Sequence, residues 1–439
     1  MQLRLPHPFV LLLAGVAVAA LLTWIIPAGS YERRTHAETG RELVVGGTYH
    51  RVEAKPVTPM AAVMSVPRGI VAGADVILTV LFVGGAFALL DATGALSRLV
   101  GALVGRTKRP RIIVICVGIA FATLGALENM HEEIIALIPT LLVLSSRLGF
   151  GAITALSMSV GAAVVGSAFG PTNPFQTGIA LRFAELPPMS QPALRFALFA
   201  AAVAVWIAWT LAMTKRDDVR PIETEPETSP ATARDGVMLA LAVLPFIPYV
   251  IGVLRFDWGF NELSAIFLLS GFAIGMTSGL GISGTASAYL KGMEGLLSAA
   301  LFIGVARAIS IVLTDGSIID SIVHGLAAPL DNVPGALAAL LMIPMHALLH
   351  IPVVSVSGQA VLTMPIMAPL SDLLGVSRDA AVIAYQTGAG LMDMLTPSNG
   401  ALLAMMLAAR VGFGRWLRFA IPGALLVALV GVAGILIAL

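Results

Sequence analysis

Asn173 and Asn399 stand in two similar tracts, Gly170-Pro171-Thr172-Asn173-Pro174 and Thr396-Pro397-Ser398-Asn399-Gly400, each inside a long apolar segment. Proline has no N–H to give a helix and clashes with the turn before it, so each tract should break its helix. A break inside a membrane leaves backbone carbonyls and N–H groups without partners, and the half-helices present partial charges of opposite sign. Carbonyls and an Asn amide oxygen could ligate a dehydrated Na+, while the N–H ends would face an anionic group. Thr172 and Ser398 add a hydroxyl beside each asparagine. The alternative is a structural kink in which each asparagine satisfies its own backbone.

A second set of chemical groups lies in Glu128-Asn129-Met130-His131-Glu132-Glu133, between two apolar arms. Carboxylates at membrane depth are expensive and mark functional sites. Three within six residues cannot all ionise cheaply, so at least one should hold a proton, a cation or a basic partner. The alternative places this tip in the headgroup zone. His131-Glu132-Glu133-Ile134-Ile135 does not supply the His-Glu-x-x-His spacing of a helical zinc site. Arg307, in an apolar run, would face a substrate carboxylate or pair with one of the glutamates or Asp393. Asp393, just before the second break, would be a coupling-ion ligand, a proton carrier or a cap for the resumed half-helix. Glu128 belongs with Asp393, Asn173 and Asn399 among the coupling-ion candidates. Asn129, Glu132, Glu133, Thr172, Asn173, Arg307, Ser355, Ser357, Gln359, Ser398 and Asn399 form the candidate substrate site. For Ser355, Ser357 and Gln359 the alternative is hairpin turn chemistry.

These groups must be positioned by membrane helices. Of the 439 residues, 58% are hydrophobic and 12% charged, against about 25% charged in soluble domains. Many uncharged runs are long enough to span a bilayer. The net charge of +1 gives no reason to expect a nucleic-acid partner. One cysteine, Cys116, excludes a disulfide framework and a Cys-based metal cluster. No nucleophile–base motif or metal-ligand spacing points to an enzyme. The apolar stretch from Pro8 to Ala28 exceeds the roughly 7–15 residues of a signal-peptide core and is taken as the first span.

The two tracts align at an offset of 226 residues, which also puts Pro139 on Pro365 and Gly149 on Gly375. Leu81-Phe82-Val83-Gly84 is echoed by Leu301-Phe302-Ile303-Gly304 at offset 220. The fold class expected is an all-α polytopic membrane protein of two inverted repeats, with about nine transmembrane helices, two re-entrant hairpins and two broken helices. The first repeat covers 1–214, with a hairpin over about 112–147 and a broken helix over about 152–181. A polar cytoplasmic linker (215–235) and a lone linking helix (236–255) follow. The second repeat covers 256–439, with a hairpin over about 336–373, its tip at 350–359, and a broken helix over about 379–409. An amphipathic stretch near Ser287 leads to a separate helix at about 296–313. Arg98, Arg106, Lys108, Arg109 and Arg111 mark a cytoplasmic loop. That puts the N-terminus inside, the C-terminus outside, and the hairpins entering from opposite sides.

The run Ser357-Gly358-Gln359-Ala360-Val361-Leu362-Thr363-Met364-Pro365 with Ala368-Pro369-Leu370-Ser371-Asp372 resembles the second hairpin of the YfcC/DcuC-like carriers, part of the ion transporter superfamily. Trp24-Ile25-Ile26-Pro27-Ala28-Gly29, the Glu132-Glu133 pair, Ala306-Arg307 and Thr396-Pro397-Ser398 extend the resemblance over nearly the whole chain. It implies an elevator-type fold, a homodimer, and substrates that are four-carbon dicarboxylates in some members and basic amino acids in others. Two features depart from the pattern. That family often has Asp where Ala389 stands and Asn where Asp393 stands, so the acid has moved one helical turn. It often has a small residue where His131 stands. The expectation is therefore a secondary transporter of a small polar metabolite in a bacterial cytoplasmic membrane, driven by Na+ or H+ or working by exchange, with no other cofactor. The rival is an ion channel with the hairpins as pore loops.

Overall fold

The computed structural model describes residues 8–35, 42–45, 47–95, 98–99, 102, 109–129, 131–187, 190–213, 230–256 and 258–439. Arg106, Lys108 and residues 215–229 of the linker lie outside the described residues. Helix α1 (Pro8–Ile25) stops just before Pro27. Four short strands follow, β1 (Gly29–Ser30) antiparallel to β4 (His50–Arg51) and β2 (Arg33–Thr35) antiparallel to β3 (Glu42–Val44). Asp320 fastens this loop by accepting from Tyr31 N–H and from the Arg33 guanidinium.

Helix α2 (Pro59–Ala72) is capped by the Thr58 hydroxyl, which accepts from Ala61 N–H, and starts on a proline whose missing N–H costs nothing there. Gly73 separates it from α3 (Ala74–Ala92). Then come α4 (Pro110–Glu128) and α5 (Ile134–Arg147), two arms meeting at a five-residue tip. Helix α6 (Ala152–Phe169) is buried at every position from Ile153 onward, the mark of a helix at the centre of a bundle. It breaks over Gly170–Asn173 and resumes as a wide π turn (Pro174–Gly178) leading into α7 (Ile179–Phe183). Helix α8 (Pro192–Met213) returns across the bundle.

The linking segment is not one span. It is α9 (Ala233–Val243) and α10 (Phe246–Phe256), eleven residues each, divided at Leu244-Pro245. Helix α11 (Phe260–Ser278) precedes α12 (Gly281–Asp315), a single 35-residue helix that absorbs both the amphipathic stretch near Ser287 and the span after it. Lys291 and Glu294 sit exposed on this continuous helix. A short helix, α13 (Ile319–Ala327), has no counterpart in the sequence reading. The second pair of arms is α14 (Gly335–His350) and α15 (Val356–Leu373). Its tip is therefore Ile351–Ser355, shorter than 350–359. Ser357 and Gln359 belong to the first turns of α15, where Ser355 caps the helix by accepting from Gly358 N–H. Helix α16 (Arg378–Tyr385) runs through a π turn (Gln386–Gly390), breaks, and continues as α17 (Gly400–Ala408) before α18 (Phe413–Ala438).

Among the described residues seven helices are long and apolar enough to cross a membrane, fewer than the nine expected. The divided linking segment and the second broken helix, which lies in two short pieces, are two reasons. The packing falls into two groups. Helices α1, α2, α3 and α11 pack around α12, while α6, α8 and α18 pack with both pairs of arms and with α16. Glycines allow the closest crossings. A Cβ on Gly125 of α4 would lie 2.1 Å from Ala163 O, and one on Gly166 of α6 would lie 2.0 Å from Ala122 O. Only hydrogen fits at either place.

Candidate functional site

Both helix breaks are built alike. Asn173 Oδ1 accepts from Phe175 N–H (2.9 Å) and Gln176 N–H (2.7 Å), and its Nδ2 donates to Gly125 O (2.8 Å) on the first hairpin. Asn399 Oδ1 accepts from Leu402 N–H (3.0 Å), and its Nδ2 donates to Asp393 Oδ1 (2.8 Å) and Asp393 O (3.0 Å). Each asparagine is thus the N-cap of the resumed half-helix. The amide oxygens expected to ligate a cation are taken up by N–H groups. The neighbouring hydroxyls tie each break to its own hairpin: Thr172 Oγ1 lies 3.4 Å from Ala126 O, and Ser398 Oγ donates to Ile351 O at 2.6 Å.

The breaks and the hairpin tips surround a cavity of about 1720 Å³. It is wider than the ~300–1,000 Å³ of small-ligand pockets, so it includes the entrance as well as a site. Asn129, Glu132 and Glu133 line it from the first tip, and Ser355 and Ser357 from the second. Thr172, Asn173, Asp393 and Asn399 line it from the breaks, and Arg307 from α12. Asn129 is held in a left-handed conformation (φ 60°), closing α4 through its N–H to Gly125 O. Glu133 is buried, and its Oε2 has no hydrogen-bond partner among the described residues. Glu128 is the last residue of α4, and its side chain lies outside the described residues. Arg307 is exposed and donates to Ala72 O at 2.9 Å. No ion pair joins it to Glu132, Glu133 or Asp393 among the described residues.

Two candidates do not reach the cavity. Gln359 is fully buried behind it and Ser398 is spent on the hairpin tie, because the chain turns both side chains into the packing around Asp393 and Ile351. Other residues belong to the site that sequence reasoning missed. Asp393 Oδ2 meets His131 Nδ1 at 3.0 Å, and its Oδ1 meets His350 Nε2 at 3.2 Å. His350 Nδ1 lies 2.9 Å from Gln359 Oε1, while Gln359 Nε2 donates to His346 O (2.9 Å). At the other end His131 Nε2 lies 3.0 Å from Ser167 Oγ. The positions that depart from the carrier pattern, His131 and Asp393, are thus in direct contact. A signal existed: three of seven histidines, His131, His346 and His350, sit in or beside apolar membrane segments, where a polar ring needs a reason. Among the described residues no cluster of three His, Cys, Asp or Glu has the arrangement of a metal site.

Two known proteins are similar in sequence to this chain along nearly its whole length. A relative from Haemophilus influenzae, described as an uncharacterized protein, is 29% identical over 478 residues, covering 95% of this chain and 93% of its own. The Escherichia coli protein described as a putative basic amino acid antiporter, YfcC, is 26% identical over 466 residues, covering 94% and 92%. Two solved structures align along nearly the full length: the YdaH transporter of Alcanivorax borkumensis (TM-score 0.47, 18% identity, 98% of each chain) and MtrF of Neisseria gonorrhoeae (TM-score 0.44, 16% identity, 99% and 95%). The profile of one family, described as C4-dicarboxylate anaerobic carrier, matches residues 5–439. The chain therefore belongs to the DcuC family, and it is a membrane transporter rather than an enzyme.

Proposed function

We propose that this transporter is a secondary carrier of a small metabolite bearing both an ammonium group and a carboxylate, with basic amino acids as the substrate class. The observation that carries this reading is Glu133 Oε2, a buried acceptor without a partner in the wall of the cavity. A buried carboxylate oxygen left unpaired is costly, and a substrate ammonium would satisfy it. Glu132 would share that role. Arg307, on the same cavity and in no ion pair among the described residues, would take the carboxylate, as a planar guanidinium does well. Asn129, Thr172, Ser355 and Ser357 would supply neutral hydrogen bonds.

Transport would follow an elevator mechanism in two inverted repeats. The first broken helix starts beside the base of the first hairpin and ends at the base of the second, where Arg378 donates to Ala184 O and Asp372. The two hairpins then approach the cavity from opposite ends of that helix. The unit built on α6, α8, α16 and α18 would move against the group around α12, with the N-terminus in the cytoplasm and a homodimer as the working form. Exchange or coupling to Na+ or H+ would drive it.

A dicarboxylate is the second reading, favoured by the description of the family and by Arg307. Uptake into proteoliposomes of arginine, ornithine, a neutral amino acid and succinate, each with counterflow, separates the two. Saturable arginine or ornithine counterflow supports the first reading, and succinate alone supports the second. Unsaturable flux of all four would point to a channel and overturn both.

A further inference from the structure

From the cavity wall inward, Ser167, His131, Asp393, His350, Gln359 and His346 form one unbroken hydrogen-bonded chain, with His131 and Asp393 in the wall itself. Its geometry fixes where the protons are. Gln359 Nε2 faces the carbonyl of His346, and only the NH₂ end of an amide can face a carbonyl. Gln359 Oε1 is thereby turned to His350 Nδ1, which must donate. The other nitrogen of the same ring meets the Asp393 carboxyl. Both nitrogens of a fully buried imidazole thus face acceptors, yet a neutral imidazole has a single N–H. The contact between His350 and Asp393 needs one further proton, held on the ring or on the carboxyl. At His131 a neutral ring can be satisfied, but only when the Ser167 hydroxyl turns its one proton from Val164 O to His131 Nε2.

We propose that His350 and Asp393 form the carrier's proton-binding site, whose proton latches the second hairpin onto the second broken helix and makes H+ the coupling ion. This rests on the carrier reading above and deepens it. His350 is the last residue of α14, where the arm turns into the tip, so the bond ties the root of the tip to the break. When the proton leaves, a ring lone pair faces a carboxylate that has lone pairs of its own, and attraction becomes repulsion. The proton passes to water entering as the hairpin moves off. The Asp393 carboxylate left behind accepts from His131 Nδ1–H and Asn399 Nδ2. The charged and titratable groups around the pair are His131, Glu132 and Glu133 on the first tip, Arg307 on α12, His346 on α14 and Tyr385 on α16. A substrate ammonium drawn to Glu132 and Glu133 would arrive close to this proton, which links the two occupancies.

The test has two arms on the full-length protein. In lipid nanodiscs, nitrogen NMR of ring-labelled histidine reads the protons directly, with His350 identified by its contact to Gln359 and by signal loss in His350→Gln. The expected result at neutral pH is either two protonated ring nitrogens or one together with a carboxylic-acid infrared band that disappears in Asp393→Asn. A ring with one bare nitrogen and no such band overturns the site. In proteoliposomes, arginine and succinate are followed by counterflow and by accumulation under a pH gradient without Na+. Wild type should accumulate the transported probe, and His350→Gln should lose accumulation by a larger factor than it loses counterflow. Counterflow without any response of wild type to the gradient overturns H+ as the coupling ion. Absence of counterflow for both probes would count against the carrier reading, while the nanodisc measurement still decides the proton site.

Discussion

The proposed recognition rests on a single oxygen of Glu133, and that makes it testable. Hydrogen bonds to charged groups are worth about 1.5–3 kcal/mol, so Glu133→Gln should raise the KM for arginine by about tenfold or more. Succinate uptake should not fall in the same variant, and concentration-dependent uptake measures both. Asn399 offers a sharper substitution than alanine. Asn399→Asp keeps an oxygen to cap α17 but replaces the donor to Asp393 Oδ1 with a second carboxylate. Folding should survive, as read by thermal unfolding in detergent. Transport should fall at neutral pH and recover in part at acidic pH, where one of the two acids takes up a proton. If Asn399→Asp behaves like wild type across that range, the bond to Asp393 has no part in transport.

The crossing of α4 on α6 sets how closely the first hairpin approaches the first broken helix. Gly166→Val would drive a side chain into the backbone of α4, and overpacking of this kind costs about 1–3 kcal/mol or more. Lower yield of folded protein and a lower unfolding temperature are expected. Gly236→Ala, where nothing lies within 4 Å of the added carbon, should be neutral or stabilise α9 by up to about 1 kcal/mol. The sequence made the breaks at Pro171 and Pro397 legible, because a missing N–H acts locally. It misled at the second hairpin, where Ser355, Ser357 and Gln359 look like a polar loop yet form a cap and a first turn. It misled again at α12, where the amphipathic stretch near Ser287 looks separate from the span after it. The contacts among His131, His350 and Asp393 could not be read at all, since they join residues far apart in the chain and depend on three elements packing together. What could be read was that each is polar in an apolar setting.

At the scale of the molecule, two packing groups meet at few places, and one of these is α3 against α5. A Cβ on Gly84 would lie 3.4 Å from that of Ala136, close to the ~3.5–4.5 Å of a disulfide, but also 1.8 Å from Leu296 Cδ1, so the background for the cross-link also carries Leu296→Ala to make room. With Cys116→Ser and Leu296→Ala as background, Gly84→Cys with Ala136→Cys should cross-link on oxidation. If the group carrying α5 travels during transport, the cross-link stops counterflow and a reductant restores it. Undiminished counterflow in the fully cross-linked protein would mean that this interface does not move. Helix α12 runs through the group formed with α1, α2, α3 and α11, and its 35 residues make it about 52 Å long. The hydrocarbon core of a bilayer is ~30 Å thick, so this rod must tilt or project well beyond it. Because Arg307 rides on the same rod, thinning or thickening the lipid would change the angle at which the guanidinium meets the cavity. Reconstitution in phosphatidylcholines of increasing acyl length should then give a transport rate with an optimum, so that membrane thickness itself tunes this carrier.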